Sequence, residues 1–487
     1  MSAIMRHEPK WDGNTQGELG LPEHSALTVE GHRERSARTH MSSQRLVTFA
    51  TTVLLLVGPT VAVATPTVGQ SGDAPIASLT APGADQNIRL GSAVAATHST
   101  IAAGFSGNVD AGSIPGGIAV YKRPATSWSG TLQPVTILRA DGYNVLGTAV
   151  AIHRKTIAAV ATQGSGPHGA VLVFRKRPGG WAHTSQPAAI LSDPGTLVVQ
   201  DPISTIGLAL SRGALFVGWN QDQRGPSGAF PSVIDEYPAR HGRWTSTAQP
   251  AARLRAPEQR STDGTFGHAM SVSGSTLVVG QPGLAVNGVE GIGAAYVYLR
   301  NSKGLVRSMN QAEVLRPTNP RVDEFFGFSV AIQGSQAVVG APYRDHLPIT
   351  STSGHQGGAY VFRRPSGGWA GSRHQDAFLT QRPNPRVGPL LGWAVATTGS
   401  TIVAGEPLRP SGQTVYAGAA VLFRRPAGGW QGKVRPDRRF DDRDVHDYDR
   451  FGAAVATSGR EIVVGKPHDL HPNPDLAPSS GLYIYDS

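Results

Sequence analysis

The chain of 487 residues contains no cysteine, so disulfide bonds, thiolate metal ligands and a thiol nucleophile are all excluded. It also contains no Gly-x-Ser-x-Gly, no His-Glu-x-x-His and no Gly-x-x-x-x-Gly-Lys, the local motifs of serine hydrolases, zinc proteases and phosphate-binding loops. We therefore predict a protein that is not an enzyme and that binds no cofactor.

Short runs of small and β-branched residues, bounded by glycine, are abundant instead. Phe326 to Pro342 reads FGFSVAIQGSQAVVGAP, with two apolar runs on either side of a glycine-containing turn. Runs of this length and composition are typical of buried strands joined by a hairpin. Two further runs follow, Gly358 to Phe362 and Asp376 to Thr380, so the unit contains four predicted strands.

This unit recurs seven times, about every 60 residues. Its openings are Leu90-Gly91, Leu146-Gly147, Ile206-Gly207, Phe266-Gly267, Phe326-Gly327, Leu391-Gly392 and Phe451-Gly452. A four-stranded unit cannot bury both of its faces alone, whereas a radial arrangement packs each sheet between two neighbours. We predict an all-β fold, a seven-bladed β-propeller of four-stranded blades that spans residues 75–487.

The two ends of the sequence are predicted to complete one blade together. The seventh unit ends with its third run, Leu482 to Tyr485, and so lacks a fourth strand. Ahead of the first opening, Ile76 to Thr80 is similar to the fourth runs of other units, such as Pro134 to Arg139. We predict that this N-terminal strand pairs with Leu482 to Tyr485 and closes the ring, which removes an exposed sheet edge.

These motifs carry a family resemblance. Phe-Gly-x-Ser-Val-Ala, Val-Val-Gly-Ala-Pro and Gly-Ala-Tyr-Val-Phe, all within residues 326–362, resemble the FG-GAP repeat of integrin α-subunit propellers. The basic turn that ends in Gly-Gly-Trp, as at Arg364 to Trp369, is more similar to the bacterial secreted FG-GAP proteins. The resemblance covers all seven units and is strongest in the last four. It implies that ligands bind at one end of the ring.

One part of the family pattern is missing. Calcium-binding repeats of the integrin type carry a ladder of Asp and Asn between the first and second strands, because the ion needs about 6 to 8 oxygen ligands. In this chain these positions hold short turns, such as Gln333-Gly334-Ser335 and Thr398-Gly399-Ser400. Calcium binding is therefore not carried over from the resemblance.

The N-terminal region predicts export. Met41 to Arg45 is a short basic start, Leu46 to Val63 is apolar and uncharged, and Ala62-Val63-Ala64 fits a small-x-small cleavage site. We predict a signal peptide over residues 41–64 and a secreted or cell-surface protein.

The segments on either side of this signal are polar. Residues 1–40 are predicted to be a disordered leader, present only if translation starts at Met1 rather than at Met41, and residues 65–74 are predicted to be a linker. With the leader in place, the apolar run is long enough to serve as an uncleaved membrane anchor. The sequence leaves both starts open.

The chain is basic, with a net charge of +10. Removal of residues 1–64 leaves this value unchanged, because that segment holds six Lys or Arg and six Asp or Glu. A basic exported protein is attracted to anionic wall polymers, lipids and acidic polysaccharides, although a scattered excess of basic residues gives the same net charge. We predict a monomer whose partner is an extracellular protein or polysaccharide, anionic ones included. We predict no nucleic acid, and a membrane only through an uncleaved signal.

Two segments concentrate polar residues. Asp437 to Arg450 alternates carboxylates with arginines and lacks the glycine of a calcium loop, so we interpret it as a salt-bridged surface loop. His468-Asp469-Leu470-His471 offers two imidazoles and a carboxylate, but nothing at a recognisable spacing completes a tetrahedral metal site. We predict no metal ion at either segment.

Tryptophans recur at one position of the unit, the turn after the third strand. They are Trp181, Trp244, Trp369 and Trp430. Exposed tryptophans could stack on sugars, but a position that repeats in this way indicates packing between blade edges. We therefore predict that they stabilise the ring.

The predicted ligand site lies in the loops between second and third strands, which are the longest in each unit. Loops on a rigid scaffold can vary while the strands cannot. Units five and seven have the most polar versions, and the predicted binding residues are Tyr343, Arg344, Asp345, His346, His468, Asp469 and His471. We predict a non-enzymatic binding or adhesion propeller that recognises an extracellular protein or glycan.

The alternative is an extracellular polysaccharide-active hydrolase or lyase. Its carboxylates would meet in the central depression from different blades and leave no local motif. A fold alone does not separate these functions. The openings are dominated by Ala, Ser, Thr and Val, which favours the binding module.

Overall fold

The computed structural model describes residues 73–84, 88–108, 114–163, 169–181, 186–192, 206–211, 213–219, 232–257, 265–300, 313–345, 355–369, 372–381, 388–442, 444, 446–468 and 480–487. These residues belong to one compact unit, and their regular elements are all β-strands. Within them, no helix has the length and apolarity needed to cross a membrane. The predicted leader, the predicted signal peptide and most of the linker lie outside the described residues.

The first three blades each contain four antiparallel strands, ordered from the innermost strand to the outermost. Blade 1 consists of β2 (Ala93–Thr97), β3 (Thr100–Asn108), β4 (Ile114–Lys122) and β6 (Thr136–Leu138). Blade 2 consists of β7 (Tyr143–His153), β8 (Thr156–Gln163), β9 (Gly169–Arg175) and β10 (Ala189–Ser192). Blade 3 consists of β11 (Leu208–Ser211), β12 (Ala214–Trp219), β13 (Val233–Pro238) and β14 (Ala252–Arg255).

The other four blades repeat this order. Blade 4 consists of β15 (Met270–Ser273), β16 (Thr276–Gln281), β17 (Ala294–Leu299) and β18 (Glu313–Arg316). Blade 5 consists of β19 (Ser329–Gln333), β20 (Gln336–Ala341), β21 (Gly358–Arg363) and β23 (Ala377–Leu379). Blade 6 consists of β24 (Val395–Thr397), β25 (Thr401–Glu406), β26 (Ala419–Arg424) and β28 (Arg438–Phe440). Blade 7 consists of β29 (Ala454–Ser458), β30 (Glu461–Lys466), β31 (Gly481–Asp486) and β1 (Ala77–Leu79).

The innermost strands form a closed ring. Each first strand contacts the first strand of the next blade, in the order β2, β7, β11, β15, β19, β24 and β29, and β29 contacts β2 again. The sequence prediction of a seven-bladed propeller is therefore confirmed.

Ring closure by the N-terminal strand is also confirmed. β1 pairs antiparallel with β31, with Ala77 opposite Ile484 and Leu79 opposite Leu482. The pairing extends to Ile76, whose backbone N–H donates to the carbonyl of Ile484 at 2.8 Å. Ala77 and Leu79 are buried in the core of this blade, so the first strand contributes apolar packing as well as backbone pairing.

In the three blades whose opening begins with phenylalanine, this ring packs on the third strand of its own blade. Phe326 is fully buried and meets Tyr360 and Phe362 edge-on, with ring centroids 5.2 and 5.9 Å apart. Phe451 likewise meets Tyr485 edge-on, at 6.4 Å. Such edge-to-face pairs add stability beyond the burial of area. The coupling of Phe-Gly with the aromatic third strand is thus a packing requirement.

The glycines of the repeat allow neighbouring blades to approach closely. A Cβ atom on Gly280 of the second strand of blade 4 would lie 1.9 Å from the carbonyl oxygen of Gly327, in the opening of blade 5. Gly327 also has a φ of 101°, which favours glycine. The same contact recurs between Gly405 and Gly452. Six of the seven interfaces use it, namely Gly104–Gly147, Gly218–Gly267, Gly280–Gly327, Gly340–Gly392, Gly405–Gly452 and Gly465–Gly91.

Three short strands that the sequence prediction missed cover the outer edges of blades. β5 (Gly130–Leu132), β22 (Ser372–His374) and β27 (Gly432–Val434) each leave their own blade and pair in parallel with the fourth strand of the preceding blade. Such pairing occupies backbone groups that would otherwise form an open sheet edge. Each of these strands therefore ties two blades together.

The recurring tryptophans pack between blades, as predicted. Trp369 of blade 5 lies in a cluster with Leu315 of blade 4, and Trp430 of blade 6 lies in a cluster with Leu379 of blade 5. Both side chains are buried. They precede β22 and β27, so the tryptophan and the added strand anchor the same junction.

The two ends of the ring differ in their connections. We call the end with the second-to-third-strand loops, and the loops that lead into each first strand, the loop face. We call the opposite end, with the first-to-second-strand turns and the C-terminal ends of the third strands, the turn face. The antiparallel order within each blade fixes this assignment.

Candidate functional site

The two kinds of connection on the loop face hold each other by backbone hydrogen bonds. The N–H of Phe325 donates to the carbonyl of Gly291 at 2.8 Å, which joins the loop into blade 5 to the long loop of blade 4. The N–H of Arg450 donates to the carbonyl of Tyr416 at 2.9 Å in the same way. The loop face is therefore a connected surface rather than a set of independent loops.

One residue from each blade lies at the loop-face end of the innermost strands, directly after the glycine of the opening. All seven of these residues are half-buried. They are Ser92, Thr148, Leu208, His268, Phe328, Trp393 and Ala453. The ring of first strands places them around the central axis, so they surround the mouth of the central channel.

Three adjacent positions of this mouth carry aromatic rings, which we call the aromatic arc: His268, Phe328 and Trp393. Phe328 contacts His268 on one side, with ring centroids 4.7 Å apart, and Trp393 on the other side, at 4.6 Å. The arc crosses blades 4, 5 and 6. Since the rings are packed against each other and remain half-exposed, they form a preformed apolar platform beside the channel.

A second layer of rings supports the arc from the loops. Tyr343 lies 6.4 Å from Phe328 and 5.2 Å from both Phe325 and His355, measured between ring centroids. Burial raises the pKa of Tyr343, and the positive charge of Arg450 acts in the opposite direction. The phenol therefore stays protonated and keeps a hydrogen-bond donor beside the arc.

His268 gives the arc one polar contact. Its Nδ1 donates to the carbonyl of Phe328 at 3.0 Å, which leaves Nε2 as the acceptor nitrogen of the neutral ring. Burial lowers the pKa of His268 to about 4, although this hydrogen bond acts against the shift. The arc is therefore uncharged at neutral pH.

Exposed apolar side chains are also concentrated on the loop face. Among the described residues, the exposed large apolar side chains are Val289, Val322, Val415 and Tyr416 on the loop face and Val135 on the outer rim of blade 1. Exposed apolar groups gathered at one surface favour contact with a partner over contact with water.

The carboxylates of the loop face are held by cations of the chain itself. In blade 5, Glu324 is fully buried, forms an ion pair with Arg344 and accepts a hydrogen bond from Tyr360 at 3.0 Å. Burial raises the pKa of Glu324, and Arg344 opposes this shift. In blade 6, Glu406 is fully buried and pairs with Arg409 at 3.1 Å.

Blade 7 holds the largest of these charged clusters. Lys466 is buried and lies 2.6 Å from Asp442 and 3.7 Å from Asp449. Asp449 is fully buried and also accepts a hydrogen bond from Nδ1 of His468 at 2.9 Å. Burial by itself lowers the pKa of Lys466, but Tyr483 and the two carboxylates outweigh this effect and raise it. The predicted salt bridges of this segment are present, but Asp449 lies inside the protein rather than on a surface loop.

The predicted binding residues therefore occupy three different environments. Tyr343 is half-buried beside the aromatic arc, whereas Arg344 is engaged by Glu324, and Asp345 pairs with His355 at 3.2 Å. His468 belongs to blade 7 and is buried against Asp449. His346, Asp469 and His471 lie outside the described residues.

The sequence prediction missed the aromatic arc, although a signal was present. The residue after the glycine of each opening occurs at seven equivalent positions, and three neighbouring units place His268, Phe328 and Trp393 there. Comparison of that single column across the repeats would have identified the arc. In the part of the chain that the structure describes, no group of three His, Asp or Glu side chains could hold a metal ion.

Comparison with known proteins identifies one repeat of the chain. The family model of the FG-GAP repeat matches residues 309–362, which covers the end of blade 4 and most of blade 5. A search of curated protein sequences finds no match. Among solved structures, the periplasmic gluconolactonase PpgL of Pseudomonas aeruginosa is similar at 16% identity and a TM-score of 0.36, over 64% of this chain and 75% of that chain. The chain is therefore a seven-bladed β-propeller in which residues 309–362 match the FG-GAP repeat.

Proposed function

We propose that the chain is an exported, non-enzymatic binding propeller that takes an extracellular protein or glycan on its loop face. The observation that carries this proposal is the aromatic arc, in which three half-buried rings from three blades lie in contact around the channel mouth. Ring faces fixed in this way bind sugar rings or apolar side chains without the cost of ordering them first.

The state of the carboxylates supports binding rather than hydrolysis. Glycoside hydrolysis needs two carboxyl groups that flank the scissile bond and act on it directly. On the described part of the loop face, the buried carboxylates Glu324, Glu406 and Asp449 are instead paired with Arg344, Arg409 and Lys466. They stabilise the loops that frame the arc.

Export is part of the proposal and rests on the apolar segment and the small-x-small site that ends at Ala64. N-terminal sequencing of protein from the culture medium should start at or near Thr65. Recovery of the intact leader in a membrane fraction would contradict a cleaved signal.

Binding is tested with the mature chain on an array of host-surface and cell-wall glycans and on a panel of extracellular proteins. For the ligand found, W393A should weaken binding by about tenfold, because one fixed aromatic contact contributes about 0.5–1.5 kcal/mol beyond its buried area. W393F keeps a ring and should retain most of the affinity.

The matched control is H241A, which removes an exposed ring from the turn face. It should leave the affinity unchanged. Equal binding by W393A and the unaltered chain would refute the arc as the site. Products of glycan cleavage by the unaltered chain would favour the enzyme alternative.

A further inference from the structure

The turn face carries many basic residues, and none of them belongs to the proposed ligand site on the loop face. Basic residues stand at or just after the end of the third strand in six blades, where the chain reaches the turn face. They are Lys122, Arg123, Arg175, Lys176, Arg177, Arg240, Arg243, Arg300, Arg363, Arg364, Arg424 and Arg425. One end of the ring therefore carries basic residues in six of the seven blades.

The first basic groove lies on blade 2. It has a volume of ≈ 540 Å³ and is lined by Lys155, Arg175, Lys176 and Arg177 together with apolar and amide side chains. Its lining contains no carboxylate. Among the described residues, none of these four cations forms an ion pair. Four cations in one groove repel each other unless an anion lies between them.

The second basic groove lies between blades 5 and 6. It has a volume of ≈ 500 Å³, and its lining includes Arg363, Arg364, Arg373 and Arg425, with Asp376 as the single carboxylate. Asp376 pairs with Arg363 at 3.3 Å and with Arg373 at 3.5 Å. Arg364 and Arg425 form no ion pair with a described residue, so this groove also keeps a surplus of positive charge.

Guanidinium groups from different blades converge in the second groove. A Cβ atom on Gly429 would lie 3.7 Å from Nη1 of Arg363 and 3.7 Å from Nη2 of Arg425. The guanidinium group matches carboxylate and sulfate oxygens with two parallel hydrogen bonds. Two such groups beside one glycine offer a place for an anionic group that spans the blade junction.

We propose that the turn face is a second binding surface, which takes a linear anionic polysaccharide bearing carboxylate or sulfate groups. The two grooves lie on different blades and would hold separate stretches of one long chain, so binding depends on charge density and salt. This proposal is independent of the ligand on the loop face.

The surroundings of the grooves favour a polysaccharide over nucleic acid or lipid. Non-specific binding of single-stranded nucleic acid uses exposed aromatic rings on which bases stack, whereas Trp369 and Trp430, beside the second groove, are buried between blades. Membrane surfaces are held by basic groups together with inserted apolar side chains. In the described residues, the exposed large apolar side chains lie on the loop face and the outer rim, not at the grooves.

The test measures binding of the mature chain to polygalacturonate, with uncharged dextran, a single-stranded oligothymidylate and phosphatidylglycerol vesicles as comparison probes. The unaltered chain should bind polygalacturonate most tightly, and the affinity should fall as salt is raised. The double variant R175Q/R177Q, and separately R364Q/R425Q, should each weaken binding by about tenfold, since an exposed ion pair contributes up to about 1 kcal/mol.

The matched control is K433Q/R435Q, which removes two exposed charges from the outer rim while leaving the grooves intact. It should change the affinity by less than about twofold. If the control and the groove variants lost the same affinity for polygalacturonate, the proposal would be overturned, because binding would then depend on the overall charge of the chain and not on the grooves. Tighter binding of the oligothymidylate or the vesicles, or no binding of polygalacturonate, would also overturn it. Circular dichroism of each variant shows whether the fold is intact, and W393A should leave this binding unchanged.

Discussion

The loop face and the turn face are built by the same seven repeats, yet the turn face also carries a groove of exposed cations that form no ion pair with described residues. On the loop face, charged side chains such as Glu406, Asp449 and Lys466 are buried and paired within the chain, while apolar groups such as Val322 are 54% exposed. On the turn face, cations such as Arg175 and Arg425 are exposed, while Trp369 and Trp430 are buried.

This difference follows from the course of the connections at each end. On the turn face, the connections from the third to the fourth strand run outward to the preceding blade, where β5, β22 and β27 pair, and the basic side chains at the start of these connections remain in solvent. The loops of the loop face are long enough to fold over their own charged groups, and the hydrogen bonds between adjacent loops fix them there. One fold therefore supplies an apolar, internally neutralised surface at one end and an open basic surface at the other.

The largest expected effect comes from removing the scaffold that both faces share. Deletion of residues 65–82 removes β1, leaves β31 with an unpaired edge and takes away the parallel partner of β5. The loss of buried Ala77 and Leu79, together with the unpaired edge, should lower the free energy of unfolding by about 5 kcal/mol. Thermal denaturation and light scattering would show a lower Tm and self-association.

Deletion of residues 65–74 is the matched control, because it ends before β1. It removes Asp73, whose ion pair with Arg438 is exposed, so the expected change is below about 1 kcal/mol. A large effect of the short deletion, or none of the long one, would contradict closure by β1.

The next largest effect should come from the charged core of the loop face. D449A removes the partner of both Lys466 and His468 and leaves a buried cation with incomplete compensation. We expect a loss of about 3 to 5 kcal/mol in the free energy of unfolding, measured by denaturant titration. The control D444A removes a carboxylate that is 85% exposed and should change stability by less than about 0.5 kcal/mol.

Sequence patterns predicted the blades well because the blade motifs describe local packing. Phe326-Gly327 requires close contact with the third strand and with the neighbouring blade, and the glycine contact appears again at five other blade interfaces. β5, β22 and β27 were missed because each is three residues long and owes its conformation to pairing with another blade. Such pairing between blades leaves no pattern in the local hydrophobicity of the sequence.

The charged residues of the loop face show a second limit. The sequence of Asp437 to Arg450 indicates a solvated surface, since dense charge is rarely buried. The structure buries Asp449 because Lys466 and His468 of another element compensate it, as Arg344 compensates the buried Glu324 at the equivalent position of blade 5. Such compensation links residues on different elements, so it becomes visible only in the folded chain.

A smaller effect is expected in the pH dependence of stability, which should depend on a carboxyl group of the loop face. Burial raises the pKa of Glu406 to about 7, against the opposing charge of Arg409, whereas an unfolded glutamate titrates near pH 4.3. Between these values the folded chain binds a proton that the unfolded chain has released, so the free energy of unfolding falls as pH rises. E406Q should remove a fall on the order of 3 kcal/mol between about pH 4 and 7.

The comparison for this experiment is R425Q, which changes an exposed charge on the turn face and should leave the pH dependence of stability as it is in the unaltered chain. If the free energy of unfolding changed with pH in the same way in E406Q and in the unaltered chain, Glu406 would not be the cause of the pH dependence.

The smallest expected effect is that of a chelator. Because Asp441, Asp442 and Asp449 are paired with Arg439, Lys466 and His468, excess chelator should change the Tm by less than about 2 °C. A metal ion present at 100 times its dissociation constant would contribute about 2.7 kcal/mol, and its removal would be clearly visible. A fall of several degrees in the Tm would indicate that a metal ion is bound at the loop face.

The central claim, that the two faces are separate binding surfaces, can be tested directly because the chain has no cysteine of its own. G179C introduces a thiol beside the groove of blade 2, where the added side chain meets nothing within 4 Å, and V415C introduces one on the loop face, at a position that is 43% exposed. The rate of maleimide labelling is measured for each variant with and without polygalacturonate. We predict that the polymer slows labelling of G179C several-fold and leaves V415C unchanged. Equal protection of both thiols, or of neither, would contradict the claim.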